Sequence, residues 1–119
     1  MNIKNIQKQL ADFADERDWD QFHNPKNLSM ALSVEASELV EIFQWLTPEQ
    51  AEAIMSSSEG EHVQEEMADI MIYLIRMADK LNVDLENAVN DKNIKNGKRY
   101  PVSLSKSNTK KTTMNKSEF

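Results

Sequence analysis

The chain has 119 residues, a net charge of −6 and no cysteine. This length suits one domain with a single core, and the lack of cysteine excludes disulfides and thiolate metal ligands. The charge is uneven, because residues 101–119 hold four lysines and one glutamate, which leaves −9 on the first 100 residues. An acidic body of this kind repels nucleic acid polymers, and it repels a free nucleoside triphosphate unless divalent cations reverse the local sign.

The apolar segments of the chain are short. The longest strongly apolar run covers residues 70–75, far below the ~20 residues that cross a bilayer. The start of the chain is polar and amphipathic, without the hydrophobic core of a signal peptide. We therefore expect a cytoplasmic protein with no membrane partner.

Helical periodicity runs through almost the whole sequence. Only two glycines and three prolines interrupt it, so the pattern predicts an all-α domain over residues 1–102. Its expected elements are a four-helix bundle at about 3–18, 26–46, 61–81 and 85–98, with a short extra helix near 48–55. Residues 103–119 have few large apolar side chains, and we expect them to form a disordered basic tail.

An acidic residue interrupts the apolar seam of the second predicted helix. The seam repeats at spacings of four and three residues: Leu28, Leu32, Glu35, Leu39, Ile42 and Leu46. Glu38 lies on the same side as Glu35, because residues three apart are neighbours on a helix. A buried carboxylate without a partner is costly. Glu35 therefore requires a cation, a hydrogen-bond network or a pocket open to water.

The third predicted helix repeats this arrangement. Its apolar seam has the same spacing: Val63, Met67, Ile70, Leu74, Met77 and Leu81. Glu66 and Asp69 are three apart and border that seam. If the two helices pack antiparallel, both acidic pairs can face one groove, where a divalent cation would remove their repulsion. Oxygen ligands alone favour Mg²⁺, or else Mn²⁺.

The third predicted helix is also apolar on all sides in its middle, at residues 70–75. Such a helix should be surrounded by protein. In so small a domain, we expect a second subunit to supply part of the protein that surrounds this helix.

A di-iron carboxylate bundle is the main alternative for a metal site of this kind. It requires Glu-x-x-His pairs on its helices. His23 does not follow a glutamate by three, and His62 follows Glu59, which falls in a predicted break between helices. The spacing therefore favours a magnesium site over a di-iron site, and a solvated acidic face without metal stays an open alternative for each pair.

Taken together, these motifs resemble a known family. Glu35-x-x-Glu38 and Glu66-x-x-Asp69 are similar to the metal-binding signature of the MazG-like all-α nucleoside triphosphate pyrophosphohydrolases. Four further segments, within about residues 6–102, resemble the short dCTP pyrophosphatase branch of that family. These segments are Glu16-Arg17-Asp18-Trp19, Gln21-Phe22-His23-x-Pro25-x-Asn27-Leu28, Glu41-x-Phe43-Gln44-Trp45 and Lys92-x-x-x-Asn96-x-x-x-Tyr100-Pro101.

This resemblance implies magnesium-dependent hydrolysis of a nucleoside triphosphate to the monophosphate and pyrophosphate. It implies dCTP or a modified dCTP as substrate, a role in nucleotide-pool housecleaning, and a homo-oligomer, either a dimer or a tetramer. Metal binding and catalysis would fall to Glu35, Glu38, Glu66 and Asp69. A bound metal lowers the pKa of water, and a free carboxylate can take its proton. Which of the four does so stays open.

The resemblance also implies a set of substrate-binding residues. They are Trp19, Phe22, His23, Trp45, Lys92, Asn96, Arg99 and Tyr100. Without the resemblance, a position in the core is the preferred interpretation for both tryptophans. Two other functions stay open: a pyrophosphatase that prefers dUTP or dATP, and a non-catalytic helical oligomeric regulator.

Overall fold

The structure of this protein is a computed structural model that describes residues 1–106. Its six α-helices are α1 (Ile3–Glu16), α2 (Pro25–Phe43), α3 (Pro48–Glu52), α4 (Gly60–Leu81), α5 (Leu85–Arg99) and α6 (Val102–Ser105). Residues 1–106 contain no strand, so the all-α prediction is confirmed. None of the helices in this part of the chain has the length and apolar character needed to span a bilayer.

The chain forms two compact units. The first, Met1–Asn82, contains α1 to α4, and the second begins at Val83 and contains α5 and α6. The helix α6 stands where the sequence predicts the start of the basic tail. The rest of that tail, residues 107–119, lies outside the described residues.

Short polar side chains determine where the helices begin. Asn24 accepts a hydrogen bond from the backbone N–H of Asn27 over 2.8 Å, and Pro25 then occupies the first turn of α2. Before α3, Thr47 and Gln50 form a reciprocal capping box. Such caps bind N–H groups that the first helical turn leaves unpaired. The four main helices begin within one residue of the predicted positions, and α1, α2 and α5 start at a side-chain cap, whereas α4 does not.

The predicted apolar seam of α2 is confirmed. None of its six positions is exposed, and Leu28 has only 1% of its surface accessible. The helix α4 packs against both α1 and α2. Ala14, Ile75 and Ala78 are the other most buried apolar residues of this small core.

The predicted apolar seam of α4 is buried only in part among residues 1–106. Val63 is buried, and Ile70 and Met77 are half-buried. The other three positions are exposed, at 58% for Met67, 38% for Leu74 and 49% for Leu81. The neighbouring face of α4, which carries Glu66 and Arg76, is also buried. Within the described part of one chain, the middle of α4 is therefore not fully surrounded by protein, and charged side chains meet α2.

Gly60 at the start of α4 gives a test of this packing. A Cβ there would lie 2.9 Å from the backbone oxygen of Met55, whereas at Gly97 in α5 it would meet nothing within 4 Å. We expect Gly60→Ala to destabilise the protein by about 1–3 kcal/mol. The control Gly97→Ala should stabilise it by about 0.5–1 kcal/mol, because alanine favours an open helical position. Thermal unfolding followed by circular dichroism measures both, and equal shifts would contradict the close approach.

Candidate functional site

Three carboxylates converge between α2 and α4. One oxygen each of Glu35, Glu38 and Glu66 lies within 4.8 Å of the other two. Glu35 and Glu38 are half-buried, and Glu66 is only 7% exposed. We call these three residues the carboxylate cluster.

The helices α2 and α4 run antiparallel. Arg76 near the end of α4 bonds to Asp20 in the turn before α2. Ile42 near the end of α2 and Glu59 before the start of α4 line one cleft.

The convergence of like charges changes the proton affinity of the carboxylate cluster. A hydrogen bond with Glu66, then burial and the nearby Glu38, raise the pKa of Glu35 to about 7. Burial, followed by the negative charges of Glu35 and Asp69, also raises the pKa of the half-buried Tyr73 phenol. Near neutral pH the carboxylate cluster therefore still holds a proton in part of the molecules, and this proton relieves the repulsion.

The donor set of the carboxylate cluster fits a divalent cation. Glu66 Oε2 is buried and has no hydrogen-bond partner among the described residues. A buried polar atom without a partner is unfavourable, and a cation between the two helices would satisfy it. Three carboxylates with no nitrogen or sulfur ligand favour a hard ion such as Mg²⁺ or Mn²⁺.

The structure does not place Asp69 in this cluster. Its carboxylate is half-buried one turn further along α4, and it is absent from the group whose oxygens lie within 4.8 Å of one another. Its charge nevertheless acts on Tyr73, as does that of Glu35. Of the four predicted metal ligands, three therefore converge and the fourth borders them.

An open cleft adjoins the carboxylate cluster. Its volume is about 650 Å³, and it is lined by Glu38, Glu41, Ile42, Glu59 and His62. His62 Nδ1 lies 3.1 Å from a carboxylate oxygen of Glu59, and His62 Nε2 lies 3.4 Å from Glu66 Oε1. The hydrogen bond with Glu59 is the main reason why the pKa of His62 is raised. A phosphate ligand would meet an acidic wall here unless cations accompanied it.

A sequence signal for several of these residues was overlooked. From the residue before α4 to its last turn, titratable side chains recur at alternating spacings of three and four, which puts them on one face. They are Glu59, His62, Glu66, Asp69, Tyr73, Arg76 and Lys80. We call this the titratable stripe. It runs beside the predicted apolar seam and is the better guide to the functional face of α4.

The predicted substrate-binding aromatic residues are accessible. Trp19 is 45% exposed and packs edge-to-face on Phe13, with ring centroids 5.7 Å apart. Phe22 is 60% exposed, and the half-buried ring of His23 lies 6.4 Å from that of Trp19. We call residues 19–23 the aromatic turn. Trp45 is 86% exposed, so its alternative interpretation as a core residue is wrong.

The remaining predicted substrate residues belong to the second compact unit. Lys92 and Asn96 lie on α5, where Lys92 is exposed and Asn96 half-buried. Arg99 and Tyr100, at the end of this helix, are also half-buried. Their role in substrate binding stays a prediction.

Comparison with known proteins places the chain in a family. Residues 30–113 match the profile of the MazG-like family, and the chain belongs to this family. Over 112 residues it is 45% identical to dCTP pyrophosphatase 1 of Bos taurus and 44% identical to that of Homo sapiens. These alignments cover 93% of this chain and 66% of each relative, so the chain spans just under two thirds of their length.

A solved structure supports the same assignment. The crystal structure of a pyrophosphatase from Archaeoglobus fulgidus superposes with a TM-score of 0.78 at 36% sequence identity. The match covers 85% of this chain and 94% of that one. The all-α fold is therefore the fold of a solved pyrophosphatase.

The raised pKa of Glu35 predicts how the stability of the metal-free protein depends on pH. The folded state keeps a proton up to about pH 7, whereas the unfolded chain releases it near 4.5. The stabilisation contributed by the protonated Glu35 carboxyl is therefore fully present below pH 4.5 and is lost as the pH rises through about 7. We expect Glu35→Gln to raise the Tm with EDTA present, and to raise it more at pH 8 than at pH 5.

The exposed neighbour of Glu66 provides the control for this experiment. Glu65→Gln removes a charge from the surface of the same helix and should give the same small Tm shift at both pH values. An equal shift at pH 5 and pH 8 for Glu35→Gln would contradict the strained carboxylate cluster.

Proposed function

We propose that this protein hydrolyses a deoxynucleoside triphosphate to the monophosphate and pyrophosphate, with Mg²⁺ as cofactor and dCTP as the leading substrate. The observation that carries this proposal is the buried, unpartnered oxygen of Glu66 beside Glu35 and Glu38. Membership of the MazG-like family and the identity to dCTP pyrophosphatase 1 support the substrate class.

The carboxylate cluster would perform two tasks in this reaction. Glu35, Glu38 and Glu66 would hold the cation from two helices, with Asp69 as the adjoining acidic ligand. A bound divalent ion neutralises the triphosphate and lowers the pKa of coordinated water. A carboxylate oxygen that is not a ligand then accepts the proton of the attacking water.

Exposed aromatic residues would hold the nucleobase. Trp19 and Trp45 both present indole surface to solvent, and indole faces stack on bases. Phe22 and His23 would complete this wall from the aromatic turn. In the second unit, Lys92 is proposed to meet a phosphate as a point charge, and Asn96, Arg99 and Tyr100 to bind phosphate or sugar.

The first prediction concerns the carboxylate cluster. Glu66→Gln keeps the shape of the side chain but removes a ligand charge, so we expect kcat/KM for dCTP with Mg²⁺ to fall on the order of 10²-fold or more. The adjacent, exposed Glu65→Gln should keep activity within about twofold, as expected for a surface substitution. Pyrophosphate release measures both. Full activity in a folded Glu66→Gln protein would remove the carboxylate cluster from the mechanism.

A nucleotide panel on the wild-type protein separates the remaining alternatives. Comparison of kcat/KM for dCTP, dUTP and dATP, with and without Mg²⁺, tests the base preference and the cofactor. A higher value for dUTP or dATP would replace dCTP as substrate. No pyrophosphate from any nucleotide would favour the non-catalytic regulator.

We also propose that the protein assembles as a dimer or tetramer through the exposed apolar face of α4. Met67, Met71 and Leu74 are spaced four and three apart, so they form one patch, and each is at least 38% exposed. Met30 and Val34 add a second exposed pair on α2. Contiguous apolar surface of this kind commonly marks a protein interface.

Sedimentation equilibrium tests the assembly. The chain mass is 13.7 kDa, and we expect a multiple of this mass for the wild-type protein. Leu74→Glu places a charge in the patch and should shift the equilibrium toward the monomer, whereas Glu65→Gln should not. A monomeric wild-type protein at high concentration would contradict the proposed interface.

A further inference from the structure

We propose that Arg76 is a positioning residue for the nucleotide site, because it fixes the aromatic turn and sets His23 as a neutral hydrogen-bond donor toward the sugar or base. This inference rests on the proposed function. It concerns the end of the titratable stripe opposite to the carboxylate cluster.

The geometry begins with a buried guanidinium. Arg76 is only 3% exposed, and it lies on the face of α4 that meets the turn before α2. Its Nε donates to His23 Nδ1 over 3.3 Å, and one terminal nitrogen donates to Asp20 over 3.0 Å. The other terminal nitrogen lies 3.5 Å from Asp79. A buried cation needs such partners, and two of the three belong to the aromatic turn.

The contact with Arg76 determines the tautomer of His23. A guanidinium has only N–H donors and no acceptor, so Nδ1 of His23 must accept the hydrogen bond. The imidazole is then neutral and carries its proton on Nε2. In a protonated ring, the Nδ1–H of His23 would face the Nε–H of Arg76, and neither group could accept the hydrogen bond. Burial, followed by the charge of Arg76, lowers the pKa of His23, in agreement with this geometry.

The charged groups around His23 balance one another. Arg76 and Lys80 bring two positive charges, and Asp20 and Asp79 bring two negative ones. Lys80 Nζ lies 2.5 Å from the same Asp20 oxygen that Arg76 binds. These two bonds are the main reasons why the pKa of Asp20 is lowered. The aromatic turn is therefore held by ionic bonds while the ring of His23 itself stays uncharged.

The second nitrogen of His23 is available to a ligand. Among residues 1–106, Nε2 makes no hydrogen bond, and Glu66 Oε2 is the only buried side-chain nitrogen or oxygen without a partner. His23 Nε2 is therefore accessible, next to the half-exposed indole of Trp19. A fixed neutral donor beside an aromatic face is suited to a base or sugar acceptor and attracts a phosphate less than an imidazolium would.

The spacing along α4 relates this donor to the carboxylate cluster. Arg76 follows Glu66 by ten residues on the titratable stripe, a rise of about 15 Å along the helix. An extended nucleoside triphosphate has a comparable length. The stripe would thus place the charged phosphates and the uncharged nucleoside at opposite ends of one face.

The experiment compares three variants of the full-length protein. Arg76→Met fills the space without donating, Arg76→Lys keeps a donor and its charge, and the control Glu65→Gln removes an exposed charge from the same helix without touching the aromatic turn. The chain has two histidines, so a His62→Gln spectrum assigns the imidazole ¹⁵N signals. These signals report the tautomer directly, independent of turnover.

We expect wild-type His23 to be the neutral Nε2–H tautomer at pH 7 and Arg76→Met to lose this preference. In the same variant KM for dCTP should rise about tenfold, the typical effect of one lost hydrogen bond, with kcat within about twofold. Arg76→Lys should restore part of the tautomer preference and part of the wild-type KM, and Glu65→Gln should leave the tautomer unchanged and KM within about twofold.

Three results would overturn the inference. They are an unchanged tautomer in Arg76→Met, a changed tautomer with unchanged KM, and a fall in kcat and Tm together with no separate effect on KM. Failure of the proposed function looks different, because the wild-type protein would then release no pyrophosphate whatever the state of His23.

Discussion

Like charges that meet at the contact of α2 and α4 are the constraint on which the rest of this structure depends. These two helices form the centre of the first compact unit, and their contact buries Glu66 beside Glu35 and Glu38. An apolar residue at any of these positions would make a more stable helix pair, because burial of carboxylates is costly. Without a cation, the proton on Glu35 is a partial remedy, and one oxygen of Glu66 has no partner in the described part of the chain. The fold therefore carries a local instability that a divalent ion would relieve.

The two ends of the titratable stripe differ in how their charged side chains are balanced. At the start of α4, His62 is the only basic side chain among residues 1–106 that pairs with the acidic groups, and an ion would supply further positive charge. Near its end, Arg76 and Lys80 balance the acidic groups and hold the aromatic turn in place. A substrate with a triphosphate at one end and an uncharged base at the other matches this division. In the proposed function, the same helix would position both parts of a nucleotide.

Much of this arrangement could be predicted from the sequence, because helix boundaries and the α2 seam depend on local signals. Proline and cap residues placed the start of α2, and the four-three repeat placed Glu35 among leucines. The same repeat located only part of the buried face of α4, where Val63 is buried but Met67 and Leu81 are exposed. Which face of α4 is buried depends on tertiary contacts such as that of Arg76 with Asp20, which lie 56 residues apart.

The convergence of Glu35, Glu38 and Glu66 was predictable because both helices carry acidic pairs at a spacing of three. The position of Asp69 beside the cluster depends on side-chain direction, which a helical pattern does not specify. The period of the apolar residues does not single out His62 or Arg76, whereas the spacing of three and four in the titratable stripe links them.

The most direct test of the central claim is a crystal structure with Mn²⁺ in place of Mg²⁺ and with a nucleotide bound. Anomalous scattering should locate manganese between α2 and α4, coordinated by oxygens of Glu35, Glu38 and Glu66. In that structure, metal–oxygen bonds should replace the hydrogen bond between the carboxyl groups of Glu35 and Glu66. Manganese found only at exposed acidic side chains, with the three carboxylates still hydrogen-bonded to one another, would contradict the account.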